Sequence, residues 1–417
     1  MTYKIPRGTY DILPSDSPKW QYVKSVFRKI ADSFGYMEIT TPIFELAELF
    51  ERSSGENSDV VQKEMYRFTD QKGRIFALRP EGTAPVVRSY VENHMDKSGG
   101  RSKLYYMGPM FRYDRPQAGR YRQFYQYGIE LIGSNHPYYD AEVIAVEMQF
   151  LKALGLKNVR LEINSVGCAN CAASYDQALR DYYRPHLTQL CPDCQKRFEQ
   201  KPRRLLDCKV PSCKVFRHKA PSQLDYLDEE CRTHFEDTCR YLDKMSIIYT
   251  INPAIVRGLD YYTNTAFELI VDSLGAQNSI AGGGRYNALI SQIGGKNTPA
   301  IGFAGGFERL LLALEQEKVP LPNLPNPQVY AIAIGESAQE AILSISQALR
   351  NEGIYVEYNP EKASFKAQMK AADASHAAYA IILGDDELAN NKIILKNLST
   401  SIQESLNLAE IIRKLTN

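Results

Sequence analysis

The sequence predicts an α+β protein in three parts: a core built on an antiparallel sheet, a helical, cysteine-bearing insertion within that core, and a C-terminal α/β domain. Three observations carry this. Short alternating stretches, "RIFALR" (74–79), "KLYYMG" (103–108) and "QFYQYGIELIG" (123–133), are set apart by Gly, Pro and charged turns, which favours antiparallel strands over parallel βαβ units. From about 165 to 245, cysteines, basic residues and helical spacing replace the alternation. "VPLPNLPNPQ" (319–328) then reads as a linker, beyond which strands and helices follow one another regularly.

Taken in order, residues 15–35 form the first helix. Ser15 or Asp16 caps it, Pro18 suits its first turn and Gly35 ends it, while Trp20, Val23, Phe27, Ile30 and Phe34 recur at spacings of three and four. After the three alternating stretches and the insertion, strands resume at 258–271 and 277–281. "GGGRYNALI" turns into a helix, and "AIGFAGGFERLLLALEQE" gives a strand, a glycine hinge and a helix. Past the linker come strand "VYAIAI", helix 337–350, strand "IYVEY", helix 362–375, strands "AYAIILG" and "KIILKNL", and helix 403–415, enough for a core of their own.

The 417 residues are 44% hydrophobic and 24% charged, ordinary values for globular proteins, with room for two or three domains. A formal net charge of +1 excludes a uniformly basic surface, so a nucleic-acid site has to be a local patch. No apolar run reaches the roughly 18 residues of a membrane span. The start, "MTYKIPRGTYDILP", has neither a signal-peptide core nor an Arg/Ser-rich amphipathic pattern. The expectation is a cytoplasmic enzyme with no membrane partner, whose eight cysteines are thiols or metal ligands.

Two nucleotide fingerprints are absent. Gly295-Lys296 is followed by Asn297 and lacks the upstream glycine of a P-loop, and "GGGRYN" does not fit G-x-G-x-x-G. Arginines offer another route to phosphate. "GPMFRYDRPQAGRYRQF" sets Arg112, Arg115, Arg120 and Arg122 against Asp114 between two strands, where a guanidinium can bind two phosphate oxygens, or where a basic loop simply faces water. On the exit strand, period two places Phe124, Gln126, Gly128 and Glu130 on one face, with Gly128 leaving space between two polar groups. A buried Glu130 without a cation is costly, so a ligand ammonium would answer it. "IVRGLDYYTNTAFEL" (255–269) gathers Arg257, Asp260, Tyr261 and Tyr262 at the mouth of a strand; alone, it reads first as an edge strand whose Tyr rings pack and whose charges face water.

Several of these stretches together resemble a known family. "FRYDRPQAGRYRQF" is similar to motif 2 of class II aminoacyl-tRNA synthetases, "GFAGGFERLLL" with Arg309 to motif 3, and "TTPIFE" with Pro42 to motif 1 of the dimer interface. "RPEGT" (79–83), "VRGLDYY" (256–262) and "GGGRY" (282–286) resemble histidyl-tRNA synthetase. "KAQMKAADASHAAYAIILGDDELANNKIILKNL" resembles the anticodon-binding domain of that family. The likeness runs from "PRGTYDIL" to the C-terminus. It implies a class II core in two parts, 1–165 and 246–320, an inserted domain at 166–245, and an anticodon-binding domain at 328–417.

The resemblance also implies the chemistry: histidine and ATP give histidyl-adenylate and pyrophosphate, and histidine then passes to the terminal ribose of tRNA(His). Arg112 grips the α-phosphate, with Arg257 opposite it as the second catalytic cation. Arg309 holds the γ-phosphate and stacks on adenine, and Arg120 joins them at ATP. Glu81, Gly82 and Thr83 meet the amino-acid end, Glu81 accepting from the α-ammonium. Gln126 orients the carboxylate, Glu130 binds an imidazole nitrogen, Tyr262 bonds the opposite side of the ring, Tyr286 helps close the pocket and Tyr261 fits the wall. Mg²⁺ accompanies ATP, the adenylate phosphate takes the proton of the second step, and the protein is a homodimer. Arg115 and Gln117 lie where the family reads the extra 5′ guanosine. The sequence departs from the family at Asp114, usually Glu, and carries Tyr125 and Tyr127 at variable positions.

Within the insertion, Cys191 and Cys194 (C-x-x-C) and Cys208 and Cys213 (C-x₄-C) have spacing suited to a tetrahedral structural zinc site, or are four reduced thiols. "CANC" (168, 171) is a third pair that competes for ligand duty or does nothing. From Arg184 to Lys219 ten Lys/Arg stand against three Asp/Glu, a net +7, where the family clamps the tRNA acceptor stem. Residues 328–417 carry a net −3, so their tRNA role rests on resemblance alone. The rival reading is a histidine-sensing regulatory subunit of ATP phosphoribosyltransferase, which generally lacks the C-terminal domain and degrades the arginine motifs. Another class II synthetase, for proline or threonine, ranks behind because Glu130 and Tyr262 suit a polar ring.

Overall fold

The structure, a computed structural model, describes residues 3–55, 58, 60–117, 119–206, 208, 210–255, 261–275, 278–362 and 364–416. By its contacts the chain divides into two units, Met1–Pro322 and Asn323–Asn417.

Helix α1 (Ser17–Ser33) buries Trp20, Val23, Phe27, Ile30 and Ala31 on one face, following the three-and-four spacing. Asp16 stands at its N-cap, but the carboxylate makes no capping bond and meets Lys19 at 3.4 Å instead. Strand β1 (Met37–Glu38) comes next. Strand β2 (Phe44–Leu46), helix α2 (Ala47–Ser54), and strands β3 (Arg67–Thr69) and β4 (Ile75–Leu78) then build a small antiparallel sheet of order β2-β4-β3. Helix α3 (Thr83–Glu92) leads into a long hairpin of β5 (Ser102–Phe111) and β6 (Gln123–Ile132). Helix α4 (Tyr138–Leu154) and strand β7 (Val159–Ser165) precede, among the described residues, the α-helices α5 (Ala169–Tyr183), α6 (Pro192–Gln200), α7 (Pro211–Arg217) and α8 (Glu229–Lys244). Tyr175, Leu179, Tyr183, Phe198 and Leu205 make a small core of their own, whereas α8 buries Phe235 and Leu242 in the main one. Strands β8 (Tyr249–Ile251), β9 (Thr263–Val271) and β10 (Ser279–Arg285), helix α9 (Leu289–Gln292), strand β11 (Ala300–Gly306) and helix α10 (Phe307–Gln316) complete the elements of this unit.

The large sheet has the order β1-β5-β6-β11-β10-β9-β7-β8. Every pairing from β5 to β7 is antiparallel, as the alternation predicts, while the outermost strands β1 and β8 pair in parallel, so the sheet is mixed. Helices α1, α4, α8 and α10 share one core with it, where Phe27, Phe150 and Phe307 meet the Tyr127 ring edge-on. The strand expected at 277–281 runs from 279 to 285 and takes in the triple glycine. The expected glycine hinge is also strand. Gly305 and Gly306 pair with Tyr127 and Gln126, and α10 starts at the next residue. A Cβ on Gly305 would lie 2.3 Å from the Tyr127 ring, so this glycine clears an aromatic side chain rather than bending the chain.

The second unit comprises β12 (Val329–Ala333), α11 (Glu336–Asn351), β13 (Val356–Glu357), α12 (Phe365–Ala374), β14 (Tyr379–Leu383), α13 (Asp385–Ala389), β15 (Ile393–Asn397), β16 (Gln403–Leu406) and α14 (Leu408–Thr416). Its sheet has the order β13-β12-β14-β15-β16. The helix expected at 403–415 begins later. Residues 403–406 pair antiparallel with β15, and Asn407 starts the helix by a reciprocal pair of bonds: Glu410 N–H to Asn407 Oδ1 at 2.9 Å and Asn407 N–H to Glu410 Oε2 at 2.7 Å. Among the described residues no helix is long and apolar enough to cross a membrane.

Candidate active site

The period-two face of β6 carries the floor of the site. Gln126, Gly128 and Glu130 do share it, but the space over Gly128 is filled: a Cβ there would lie 2.6 Å from Tyr106 Oη. Tyr106 stands directly opposite Gly128 on β5, and its ring also covers Gly82, where a Cβ would meet it at 2.2 Å. The gap therefore houses a tyrosine of the protein itself. Sequence reading missed Tyr106, although its opposition to Gly128 follows once the hairpin register is known.

Glu130 is fully buried between β5 and β11. Burial pushes its carboxyl up to about 8; the Tyr286 hydroxyl, which donates to Oε2, and the nearby Thr83 pull it down, and Glu81 pushes it further up. Glu130 Oε1 and Tyr106 Oη have no hydrogen-bond partner of good geometry among the described residues. A buried acceptor and a buried hydroxyl left open in one pocket are what a ligand N–H and acceptor would satisfy. Glu147, behind Tyr127, is likewise pushed to about 8 by burial, with the Tyr127 hydroxyl donating to it at 2.8 Å.

These shifts carry a sign. A carboxyl raised above its ordinary 4.5 favours the folded, ligand-free chain most when protonated, and that contribution is lost as pH rises from 4.5 through about 8. Glu130→Gln is expected to flatten part of this fall, measured as urea midpoints at about pH 6 and about pH 9, with Glu147 supplying the remainder. An unchanged slope would mean that Glu130 is already ionised in the folded protein.

Glu81 is buried at the start of α3, where its two oxygens accept the N–H groups of Thr83 (2.7 Å) and Ala84 (2.9 Å). Burial raises its carboxyl, against these bonds and the charge of Arg112. Each carboxylate oxygen retains a second acceptor site. Gln126 Oε1 accepts the Gly82 N–H at 3.1 Å, tying this turn to β6. Arg79, also missed, fastens the turn from beneath by donating to Thr41 O at 2.8 Å and Pro109 O at 2.9 Å. The wall is aromatic: the Tyr261 ring lies 4.8 Å from Tyr262 and 5.8 Å from Tyr286. Tyr262 also lines a cavity of about 230 Å³ together with Lys201, Arg203 and Arg204 of the insertion.

The arginines lie beside this pocket. Arg112 donates from Nε to Pro80 O at 2.8 Å, its guanidinium carbon 5.4 Å from the centre of the Phe124 ring. Arg120 pairs with Asp114 at 3.0 Å, and the Asp114 carboxylate also accepts the Arg115 N–H at 2.7 Å, so the shortened acid braces its own loop. Arg309 donates to Ser279 O at 2.5 Å; burial first, then the charge of Arg120, holds its guanidinium below its usual range. Arg120 and Arg309 are thus neighbouring cations, and an anion beside them would relieve their repulsion. Arg115 and Gln117 are exposed on the loop. Tyr10 and Glu308, which sequence reading passed over, lock the segment at the start of the chain to α10 and to the beginning of β6. Tyr10 Oη donates to Glu308 Oε1 at 2.5 Å, and the Tyr125 N–H donates to the same oxygen at 2.7 Å. Arg257 falls within residues 256–260, outside the described residues.

The four expected cysteines come together. The sulfurs of Cys191, Cys194, Cys208 and Cys213 all lie within 4.8 Å of one another, with Cys191 and Cys208 at 3.8 Å. A tetrahedral site with Zn–S of about 2.3 Å has S···S edges of about 3.8 Å.

Comparisons with known proteins agree with this architecture. The family model described as histidyl-tRNA synthetase matches residues 8–310, and the anticodon-binding domain model matches residues 328–417. A histidine–tRNA ligase of Halothermothrix orenii is 50% identical over 415 residues, covering 100% of this chain and 99% of that protein. One from Anoxybacillus flavithermus is 49% identical, covering 99% and 98%. The crystal structure of apo histidyl-tRNA synthetase from S. aureus superposes with a TM-score of 0.85 at 40% identity, covering both chains completely. A family model over most of the first unit, a second over the C-terminal unit and relatives spanning the whole length leave one conclusion: the chain belongs to the histidyl-tRNA synthetase family.

Proposed function

We infer that this protein is a histidine–tRNA ligase: it joins L-histidine to ATP as histidyl-adenylate and transfers histidine to the 3′ end of tRNA(His). The observation that carries the reading is the buried, half-satisfied Glu130, set among Tyr106, Tyr261, Tyr262 and Tyr286 and flanked by a cluster of arginines. Glu130 Oε1 takes an imidazole N–H, Tyr262 faces the other side of the ring, and Glu81 and Thr83 take the α-ammonium, with Gln126 near the carboxylate. A histidine carboxylate oxygen attacks the α-phosphorus, the bond to the β-phosphate breaks, and pyrophosphate leaves. Arg112 and Arg257 bear the charge that builds at the α-phosphate, and Arg120 and Arg309 hold the rest of the chain of phosphates. Mg²⁺ arrives with ATP as part of the substrate and neutralises phosphate charge.

The catalytic core comprises 1–165 and 246–320, the insertion 166–245, and the anticodon-binding domain 328–417. The insertion, net +7 between Arg184 and Lys219, lies against the acceptor stem, and Arg115 and Gln117 read its 5′ end. The Cys191–Cys213 cluster holds zinc as a structural ion, since four thiolates leave no open position. Phe44, Phe68 and Ile75, exposed on the small sheet, support a homodimer through the motif 1 region. The sensor alternative ranks below, because relatives matching the full length, C-terminal unit included, are ligases. Cytoplasmic residence fits this role. The test is ATP–pyrophosphate exchange with purified protein. Exchange is expected with histidine alone among the amino acids; exchange with proline or threonine, or none at all, overturns the reading.

A further inference from the structure

We propose that Cys168, Cys171, Asp228 and Cys231 hold a second zinc ion, which ties the first turn of α5 to that of α8 beside the strand that follows Tyr262. Their ligand atoms all lie within 4.8 Å of one another. Cys168 Sγ is 3.6 Å from Cys171 Sγ and 3.1 Å from Asp228 Oδ2. The first is close to the edge of about 3.8 Å for a tetrahedron with Zn–S near 2.3 Å, and far outside the roughly 2.05 Å of a disulfide.

The sequence builds this cluster from two like pieces. Cys168 is the N-cap of α5 and Cys171 the third residue of that helix; Asp228 is the N-cap of α8 and Cys231 its third residue. Both pairs thus have the x-x spacing that puts two side chains at one helix mouth, where the dipole favours anionic ligands. Asp228 divides its carboxylate: Oδ1 accepts the Cys231 N–H at 2.8 Å and caps α8, while Oδ2 turns to the sulfurs. The Asp228 N–H points at Cys171 Sγ at 3.2 Å, the kind of backbone bond that steadies a metal thiolate. Gly167 lets the chain pass this close: its φ is +65°, and a Cβ would lie 2.5 Å from that of Cys171.

The location gives the ion a task. The residues between Cys171 and Asp228 include the other cysteine cluster and the basic stretch, so one ion closes the loop that carries both. Cys231 Sγ meets Asn264 Oδ1 at 3.3 Å, and Asn264 exchanges backbone bonds with Val166 (2.7 Å) and Gly167 (2.9 Å). Asn264, at φ 50°, lies two residues beyond Tyr262. The zinc therefore fixes the root of the basic insertion relative to the strand that follows Tyr262. Three thiolates and one carboxylate leave it a closed, structural site.

The experiment is metal analysis of the full-length chain purified without chelator. The wild type is expected to hold one zinc per chain more than Cys168→Ser/Cys171→Ser, while Cys191→Ser/Cys194→Ser removes the other ion and keeps this one. Equal zinc in the wild type and the Cys168→Ser/Cys171→Ser variant overturns the proposal. Should that variant not fold, Asp228→Cys in cobalt(II)-loaded protein decides. Its sulfur-to-cobalt charge-transfer absorbance is expected to rise by one thiolate's share, from seven thiolates to eight across the two clusters. An unchanged band means that Asp228 faces no metal.

Discussion

Arg112→Ala is expected to lower histidine-dependent pyrophosphate exchange by on the order of 10²–10³-fold, the usual loss when one preorganised charge at a developing anion is removed. The guanidinium is set before substrate arrives: its Nε is anchored to Pro80 O at 2.8 Å, one residue from Glu81, and its carbon lies 5.4 Å from the centre of the Phe124 ring. That anchorage fixes the direction of the remaining donors, so little reorganisation is needed as charge builds on the α-phosphate. The loss should fall on kcat more than on the KM for histidine, because the proposed function gives the histidine groups to other residues. Arg112→Lys is expected to recover little, since an ammonium cannot hold Pro80 O and two phosphate oxygens in one plane. Arg257→Ala is expected to keep histidine binding and lose exchange to a similar extent. An alanine variant at either position within about threefold of wild type would remove that arginine from the chemistry.

How far the site was legible depends on whether its signal was local. The alternation in "QFYQYGIELIG" placed Gln126, Gly128 and Glu130 on one face because the period of a strand is fixed at two. What lay over Gly128 was hidden, because Tyr106 reaches it only through the register of a hairpin with a long irregular loop. Glu81 shows a related limit. A carboxylate two residues before a helix can bind a ligand or cap the helix, and here its oxygens meet the N–H groups of α3. In the second unit the helical spacing from 403 onward concealed a strand, although Asn407 and Glu410 form the start signal that marks the true beginning of α14. "CANC" was visible but incomplete, since half of its cluster stands at Asp228 and Cys231, brought near by the fold. The wholly illegible feature was Arg285. It sits inside "GGGRY" as though part of the pocket, yet its partner is Asp140, 145 residues earlier and without any sequence mark.

That pair sets the largest expected effect on stability. Arg285 and Asp140 are both fully buried; Nε lies 2.9 Å and Nη2 2.5 Å from Oδ2, and the remaining donors meet Ser134 O at 2.9 Å and His136 O at 3.2 Å. Burial alone would raise the Asp140 carboxyl, but Arg285 and His234 outweigh it and hold it below its ordinary range. Its contribution is therefore present above pH 3.8 and lost as pH falls below it. Asp140→Ala leaves a guanidinium buried without its counter-charge, and is expected to cost about 3–5 kcal/mol. Trp20, the chain's single tryptophan, lies in the core of the first unit, so its fluorescence in urea reports on that unit within the full-length protein. The paired replacement Asp140→Leu/Arg285→Met should regain much of the stability, because an apolar pair carries no desolvation cost. It should not regain histidine affinity. Arg285 ends β10 immediately before Tyr286, whose hydroxyl holds Glu130 Oε2, so the ion pair is expected to position that tyrosine as well as stabilise the fold. A stable double variant with a raised KM for histidine separates positioning from stability, whereas a wild-type KM would reduce the Arg285–Asp140 pair to a structural cross-link.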